Sequence, residues 1–539
     1  MSFPVVITIR KVHDRSSLDE FPAELRRIVG AQDWDELEDF CDRHWLALPA
    51  DLAAMLVAAL GSVPPEVLHG RPRLVIAWLT NGDALAGPAD PELRAFLRRY
   101  MEVGARMAAE FDLTADVPPA TLIALGTAKL IQLRAQGSLD EADELGDELA
   151  RRVDELRPLP RERSTLRPGW LALQRGLTRS LAGDLDGATA LYQLAHEQAR
   201  AEPLTHFAGI NAAANLAMVF AHQGQQEAAA RWIRTMRSYP PPMPSVAFLG
   251  TVGATIAEGW LALDRHDRDG VAAALAVTGD GTKPIEVWPF VAALAGAAAL
   301  HFGDPADGLD QLERIRISRH ATAGPGIAQQ VLDRARADLL IAAGQGNRAL
   351  RMLRRETAAV PAWLAVPSAR LHLLAGDHRQ ARAIAAHSVW DAGTPRRDKA
   401  QLLLVHAVAA LRMGDREAAR GAVRMLSAVR EPDEVASLAT LPAAERAELL
   451  GEVELTESAA ARLARARPLF PERIDLVALT NREHKVLTEL TQGHSPQEIA
   501  RSLVVSVATV RSQLQSVYRK LGASNRDEAI MRTYELGLL

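Results

Sequence analysis

Between Ser506 and Gly522 a helical wheel sorts the side chains into two sets. Val510, Leu514, Val517 and Leu521 fall on one stripe, and Ala508, Arg511, Ser512, Gln515 and Arg519 on the opposite face. The second set is small, basic or hydrogen-bonding, with no Asp or Glu in it. A helix of that kind fits the major groove of DNA, where a guanidinium can donate twice to guanine and a carboxamide can pair with adenine. Ser495, Thr509, Arg519, Lys520 and Arg526 lie where phosphates would be met, Ser495 through the N-terminal end of its helix.

Such a face needs a small scaffold to hold it, and the surrounding residues punctuate one. Thr480-Asn-Arg-Glu483 and Ser495-Pro-Gln-Glu498 each have the spacing of a capping box, the second with Pro496 at the first helical position. Ser506 caps a third helix that ends at Gly522, and Asn525 caps a fourth. A short helix through Ile499 and Leu503, a tight turn at Val504-Val505 and then a longer helix is the layout of a helix-turn-helix. In this scheme Glu483 and Glu498 are caps rather than catalytic acids, and His494 is a solvated turn residue. Lys520 has a second reading as a charge complementing a helix C-terminus.

The run Leu479-Thr-x-Arg-Glu-x-x-Val-Leu487, Glu498-Ile-Ala500, Ser506-x-x-Thr-Val-Arg511, Lys520-Leu-Gly522, Asn525-Arg-x-Glu-Ala529 and the closing Gly537-Leu-Leu resembles the LuxR-type DNA-binding domain throughout. That resemblance implies Arg511, Ser512 and Gln515 at base edges, and Gln513 among the phosphate contacts of Ser495, Thr509, Arg519, Lys520 and Arg526. It also implies a last helix that pairs two copies on double-stranded promoter DNA. The family usually has Lys where Arg511 stands, His where Gln513 stands and Asn-Lys where Pro496-Gln497 stand. These departures bear on the preferred base sequence and on one backbone contact.

Upstream, apolar residues recur at three- and four-residue spacing and strand signals are nearly absent, apart from Phe3–Ile9. Short turns recur at Gly137, Gly183, Gly224, His266-Asp267, Gly303, Gly344, Gly376 and Gly414, at intervals of about 32 to 46 residues. In such turns Gly supplies a left-handed residue and Asp caps the next helix. The pattern resembles tetratricopeptide-type helical repeats, whose units cannot bury an apolar face alone and must stack. The nine Trp residues all lie here and are expected to be packing residues. Tyr239–Pro244 reads as a stiff connector.

Ala31–Leu37, Arg43–Leu46 and Ser62–Leu74 resemble the opening of the helical-repeat module in the large LuxR-type regulators of the maltose-activator kind. Those regulators also carry an ATPase domain. No Gly-Lys dipeptide occurs here, and Gly279–Lys283 has the wrong order for a phosphate loop. The expected fold is all-α: an N-terminal arm at 1–30, repeats over 31–466, a linker at 467–478 and a four-helix domain at 479–539.

The 539 residues are 48% hydrophobic and 24% charged, a globular composition with a net charge of −5. That charge is unevenly spread. Residues 479–539 hold eight basic against six acidic side chains, and residues 1–478 hold 54 against 61. The single cysteine, Cys41, cannot form an internal disulfide, and its acidic neighbours disfavour a thiolate. Asp140, Glu141 and Glu144 read as a solvated face. No hydrolase, zinc or phosphate-loop motif is present.

With no eighteen-residue apolar run, no membrane span is expected. The sequence therefore predicts a cytoplasmic, non-enzymatic, cofactor-free regulator. The LuxR-type resemblance implies that it binds promoter DNA as a homodimer and that its repeats sense a small molecule or a protein. Two competing readings are an adaptor with a terminal docking module and a regulator whose nucleotide domain has degenerated.

Overall fold

The computed structural model describes residues 20–538, except 47, 49, 86–103, 157–164, 201–206, 240–243, 284, 321–323, 355–360, 432, 452 and 478. Among the described residues the secondary structure is helical, with no strand. The Phe3–Ile9 run and most of the Tyr239–Pro244 connector lie outside the described residues. The helical body begins at Phe21 rather than after residue 30: Phe21–Ala31 is a helix with Pro22 in its first turn, where a missing N–H costs nothing.

Consecutive helices pair through the expected turns. Gly183, Gly376 and Gly414 have φ of 93°, 85° and 83°. The aspartates that follow them, Asp184, Asp377 and Asp415, accept from the backbone N–H three residues on at 2.9–3.1 Å. His266 takes the left-handed role itself, with φ 56°. Gly303 departs from the expectation: its φ and ψ are −102° and −164°. The next residue, Asp304, precedes Pro305 and is extended, as the residue before a proline prefers to be.

Paired helices divide the packing. Trp288–Phe302 is apolar on nearly every side and buried along most of its length, whereas Arg416–Val429 buries only Ala419, Ala422, Val423 and Leu426. That i, i+3, i+4, i+7 stripe is the amphipathic signature of a helix with one wet face. Among the tryptophans, Trp45, Trp78, Trp260 and Trp288 are buried, but Trp390 is 72% exposed. Val246–Asp264 is long and apolar enough to cross a membrane by length and composition, and most of it is buried in the fold.

The chain forms two compact units. The first contains the described residues up to Val219 together with Glu227–Thr255. Within it Asp42, fully buried, receives Arg73 at 2.7 Å and Arg167 at 2.8 Å, and Arg167 lies 3.6 Å over the Trp45 ring. Burial, with Asp42 adding, pushes the Cys41 thiol far above its ordinary range, so Cys41 is an inert core residue. Asp140, Glu141 and Glu144 are exposed.

The second unit contains Phe220–Gln226 and the described residues from Ile256 onward, including the four C-terminal helices. The segment expected to be a linker is built into this unit. Phe470 and Leu476 pack against a cluster that includes Leu340, Ile341, Leu353, Leu371, Leu374 and Ile474. The Ile474 N–H donates to Leu374 O at 2.9 Å, and the Val477 N–H donates to Asn347 Oδ1 at 2.9 Å. Gly346 is obligatory at this seam: a Cβ there would lie 2.2 Å from Ile474.

Candidate nucleic-acid interface

Four helices build the C-terminal domain: Asn481–Thr491, Pro496–Ser502, Val507–Leu521 and Arg526–Glu535. Both capping boxes form with reciprocal hydrogen bonds. Ser506 caps the third helix at 3.0 Å and Asn525 the fourth at 2.8 Å. Their apolar faces close a small core of Val486, Leu487, Leu490, Ile499, Val510, Leu514, Val517, Leu521 and Ala529. The stripe read from the wheel is therefore the inward face of the third helix.

Turning Val510, Leu514, Val517 and Leu521 inward leaves Ala508, Arg511, Ser512, Gln515 and Arg519 exposed. Thr509 is exposed as well, its hydroxyl 2.8 Å from that of Ser506. Gln513 and Ser495 are half-buried at the edges of this surface. No carboxylate stands on the whole helix. Among the described residues, Arg511, Ser512, Gln515 and Arg519 make no side-chain hydrogen bond or ion pair within the chain. A cationic, donor-rich face without internal partners is available to an external anion or to base edges.

Two of the cations proposed for phosphate are also bound inside the domain. Lys520 Nζ donates to Glu483 Oε2 at 2.6 Å, and Arg526 donates to Leu490 O at 3.2 Å. Glu483 is the hub. It also accepts from the Thr480 N–H at 2.7 Å and from the Ser516 hydroxyl at 2.7 Å. Burial alone would raise its carboxyl, but Lys520, Thr480 and Ser516 outweigh that and bring it down to about 2. Glu483 is thus a cap, as its position indicated, and in addition a strut tying the first helix to the third.

His494 lies at the turn with its side chain 44% exposed, and it also has a partner. Its Nδ1 lies 2.7 Å from Glu489 Oε2, while the Ser502 hydroxyl donates to Glu489 Oε1 at 2.9 Å. Sequence reasoning missed this pairing because the three residues are held together by the turn at Gly493, whose φ is 94°. At the turn between the second and third helices, Val504 adopts φ 53° and is 90% exposed. The neighbouring Val505 N–H donates to Ala500 O at 3.0 Å, closing the second helix.

Residues 477–533 match the family model for bacterial regulatory proteins of the luxR family. The HTH-type transcriptional regulator MalT of Serratia proteamaculans is 36% identical over 69 residues, which is 13% of this chain and 8% of that protein. MalT of Yersinia pestis matches at the same identity and extent. A putative HTH-type transcriptional regulator, YhjB of Escherichia coli, is 44% identical over 57 residues, 11% of this chain and 28% of that protein. The chain thus spans less than a third of the length of the relatives it matches. Capped helices, packed core and outward cationic face coincide with the matched residues: 477–533 form a helix-turn-helix domain of the luxR family.

Proposed function

We propose that the whole chain is a sequence-specific DNA-binding transcription regulator that acts in the cytoplasm and catalyses no reaction. The observation that carries this reading is the acid-free outer face of Val507–Leu521, where Arg511, Ser512 and Gln515 stand without internal partners. In the complex this helix lies in the major groove, with Arg511, Ser512 and Gln515 at base edges. Ser495, Thr509, Gln513, Arg519, Lys520 and Arg526 meet phosphates, Lys520 and Arg526 by exchanging or sharing their present partners. Two copies pair through Arg526–Glu535, whose Met531 and Tyr534 are 57% and 65% exposed. The helical body receives the effector.

Selection of bound sequences from a random pool by the full chain, followed by titration at several salt concentrations, tests this. Arg511→Ala is expected to cost about 1–3 kcal/mol in specific affinity and to relax preference at one base pair. Arg519→Ala is expected to weaken all sequences alike and to flatten the salt dependence. Unchanged affinity and preference in Arg511→Ala overturns the assignment of the reading face. Absence of any salt-dependent affinity in the parent chain overturns DNA binding and leaves a docking module.

A further inference from the structure

The segment that leads into the DNA-binding domain roofs a cavity. Its walls come from the helices Ala365–Leu374, Arg396–Arg412 and Ala443–Leu450, and Pro468–Glu472 crosses over it. The space is about 250 Å³, far more than a single water needs. Leu404, Val405, Val408, Leu441 and Phe470 make it predominantly apolar. One charged group, Arg370, is set into the wall and is only 3% exposed.

The electrostatics decide what the cavity accepts. Arg370 donates to Asp338 and to Gln401, each at 2.7 Å, and its guanidinium lies 4.3 Å over the Phe470 ring. Asp338 also receives Arg334, which in turn donates to Asp398. Two arginines thus face two aspartates, and the wall carries no net charge for an anion to neutralise. Exposed Glu472 at the rim further disfavours anions. The bonds drawn by Arg370 among the described residues use two of its five N–H donors, so a neutral acceptor can be bound without breaking the cluster.

We propose that this cavity is a binding site for a neutral, largely apolar small molecule that presents one hydrogen-bond acceptor to Arg370. The proposal deepens the reading of the chain as an effector-sensing regulator and rests on that reading for its biological role. Occupancy acts where Phe470 closes the site. Phe470 touches Arg370 from the segment whose Ile474 and Val477 are hydrogen-bonded to the body immediately before the DNA-binding domain. A molecule under Phe470 therefore bears on the attachment of that domain.

Prodan, a neutral naphthalene with a single ketone, is a suitable probe, titrated into the full chain and read by its emission maximum. A saturable blue shift with one site per chain is expected. Val408→Phe fills the interior, and Ala443→Trp plugs the rim from an exposed position. With helicity by circular dichroism unchanged, each is expected to weaken Prodan at least about tenfold, roughly 1.4 kcal/mol. No saturable shift in the parent, or equal binding by parent and Ala443→Trp, overturns the site. DNA affinity measured on the same samples separates the two ideas. A chain that binds DNA but not Prodan loses the cavity and keeps the regulator reading. A chain that binds Prodan but not DNA keeps the cavity and loses that reading.

Discussion

Val504 carries the clearest conformational cost in the DNA-binding domain. A β-branched residue at φ 53° brings Cβ against the backbone, and 90% exposure means no packing offsets it. Val504→Asn is expected to stabilise the domain by about 0.5–1 kcal/mol, because Asn tolerates the left-handed region. Hydrogen exchange of the Val507–Leu521 amides in the full chain measures it, and faster exchange in the variant would contradict the strain argument. The pair Val504-Val505 was legible in the sequence as a turn. Its left-handed conformation was not, since nothing but Gly or Asn announces that conformation in a sequence, and neither is present.

Elements in the C-terminal domain are joined by a few polar struts, and Glu483 is the most heavily used. Because folding holds its carboxyl near 2, below the ordinary value of about 4.3, the stabilisation is complete above about pH 5 and drains away as pH falls toward 2. Glu483→Gln is expected to abolish most of this acid dependence and to cost about 1–3 kcal/mol at neutral pH. Hydrogen exchange of the Asn481–Thr491 and Val507–Leu521 amides at pH 3 and pH 7, corrected for the intrinsic exchange rate at each pH, checks both effects. An unaltered pH profile would show that the strut is dispensable. The caps and the core stripe of these helices were readable because they are local, three or four residues apart. The Lys520–Glu483 and Ser516–Glu483 bonds span 37 and 33 residues, and periodicity does not report which polar residues meet across helices.

At the scale of the whole molecule, the repeats followed from their turns, and at Asp184, Asp377 and Asp415 from their aspartate caps as well. Gly303 departed from that pattern, with φ −102° in place of a left-handed value. What the sequence concealed is the attachment of the output domain. Arg467–Pro471 reads as a boundary by its prolines, yet Ile474 is 4% exposed and Phe470 packs inward. The buried clusters around Asp42 and Asp338 were equally silent, since their members lie up to 125 residues apart. Ile474→Ser is expected to cost about 2–4 kcal/mol in the docking of residues 467–477, from lost burial and an unsatisfied hydroxyl. Limited proteolysis reads it as new cleavage between 467 and 478 with the body intact; an unchanged digestion pattern would show that the seam does not depend on this side chain.

The seam at Asn347 and Ile474 has a consequence for how operators are read. A reading head on a slack tether samples many separations, and its partner copy can follow whatever distance the DNA offers. Here the backbone is hydrogen-bonded to the body at Val477, a short stretch of chain before the first helix of the reading head at Asn481. In the proposed dimer, whose reading heads pair through Arg526–Glu535, the separation and rotational phase of the two heads are then set by that pairing, and each body is carried at a fixed place beside its own head. Moving one half-site by half a helical turn should be tolerated far less than changing the bases between them.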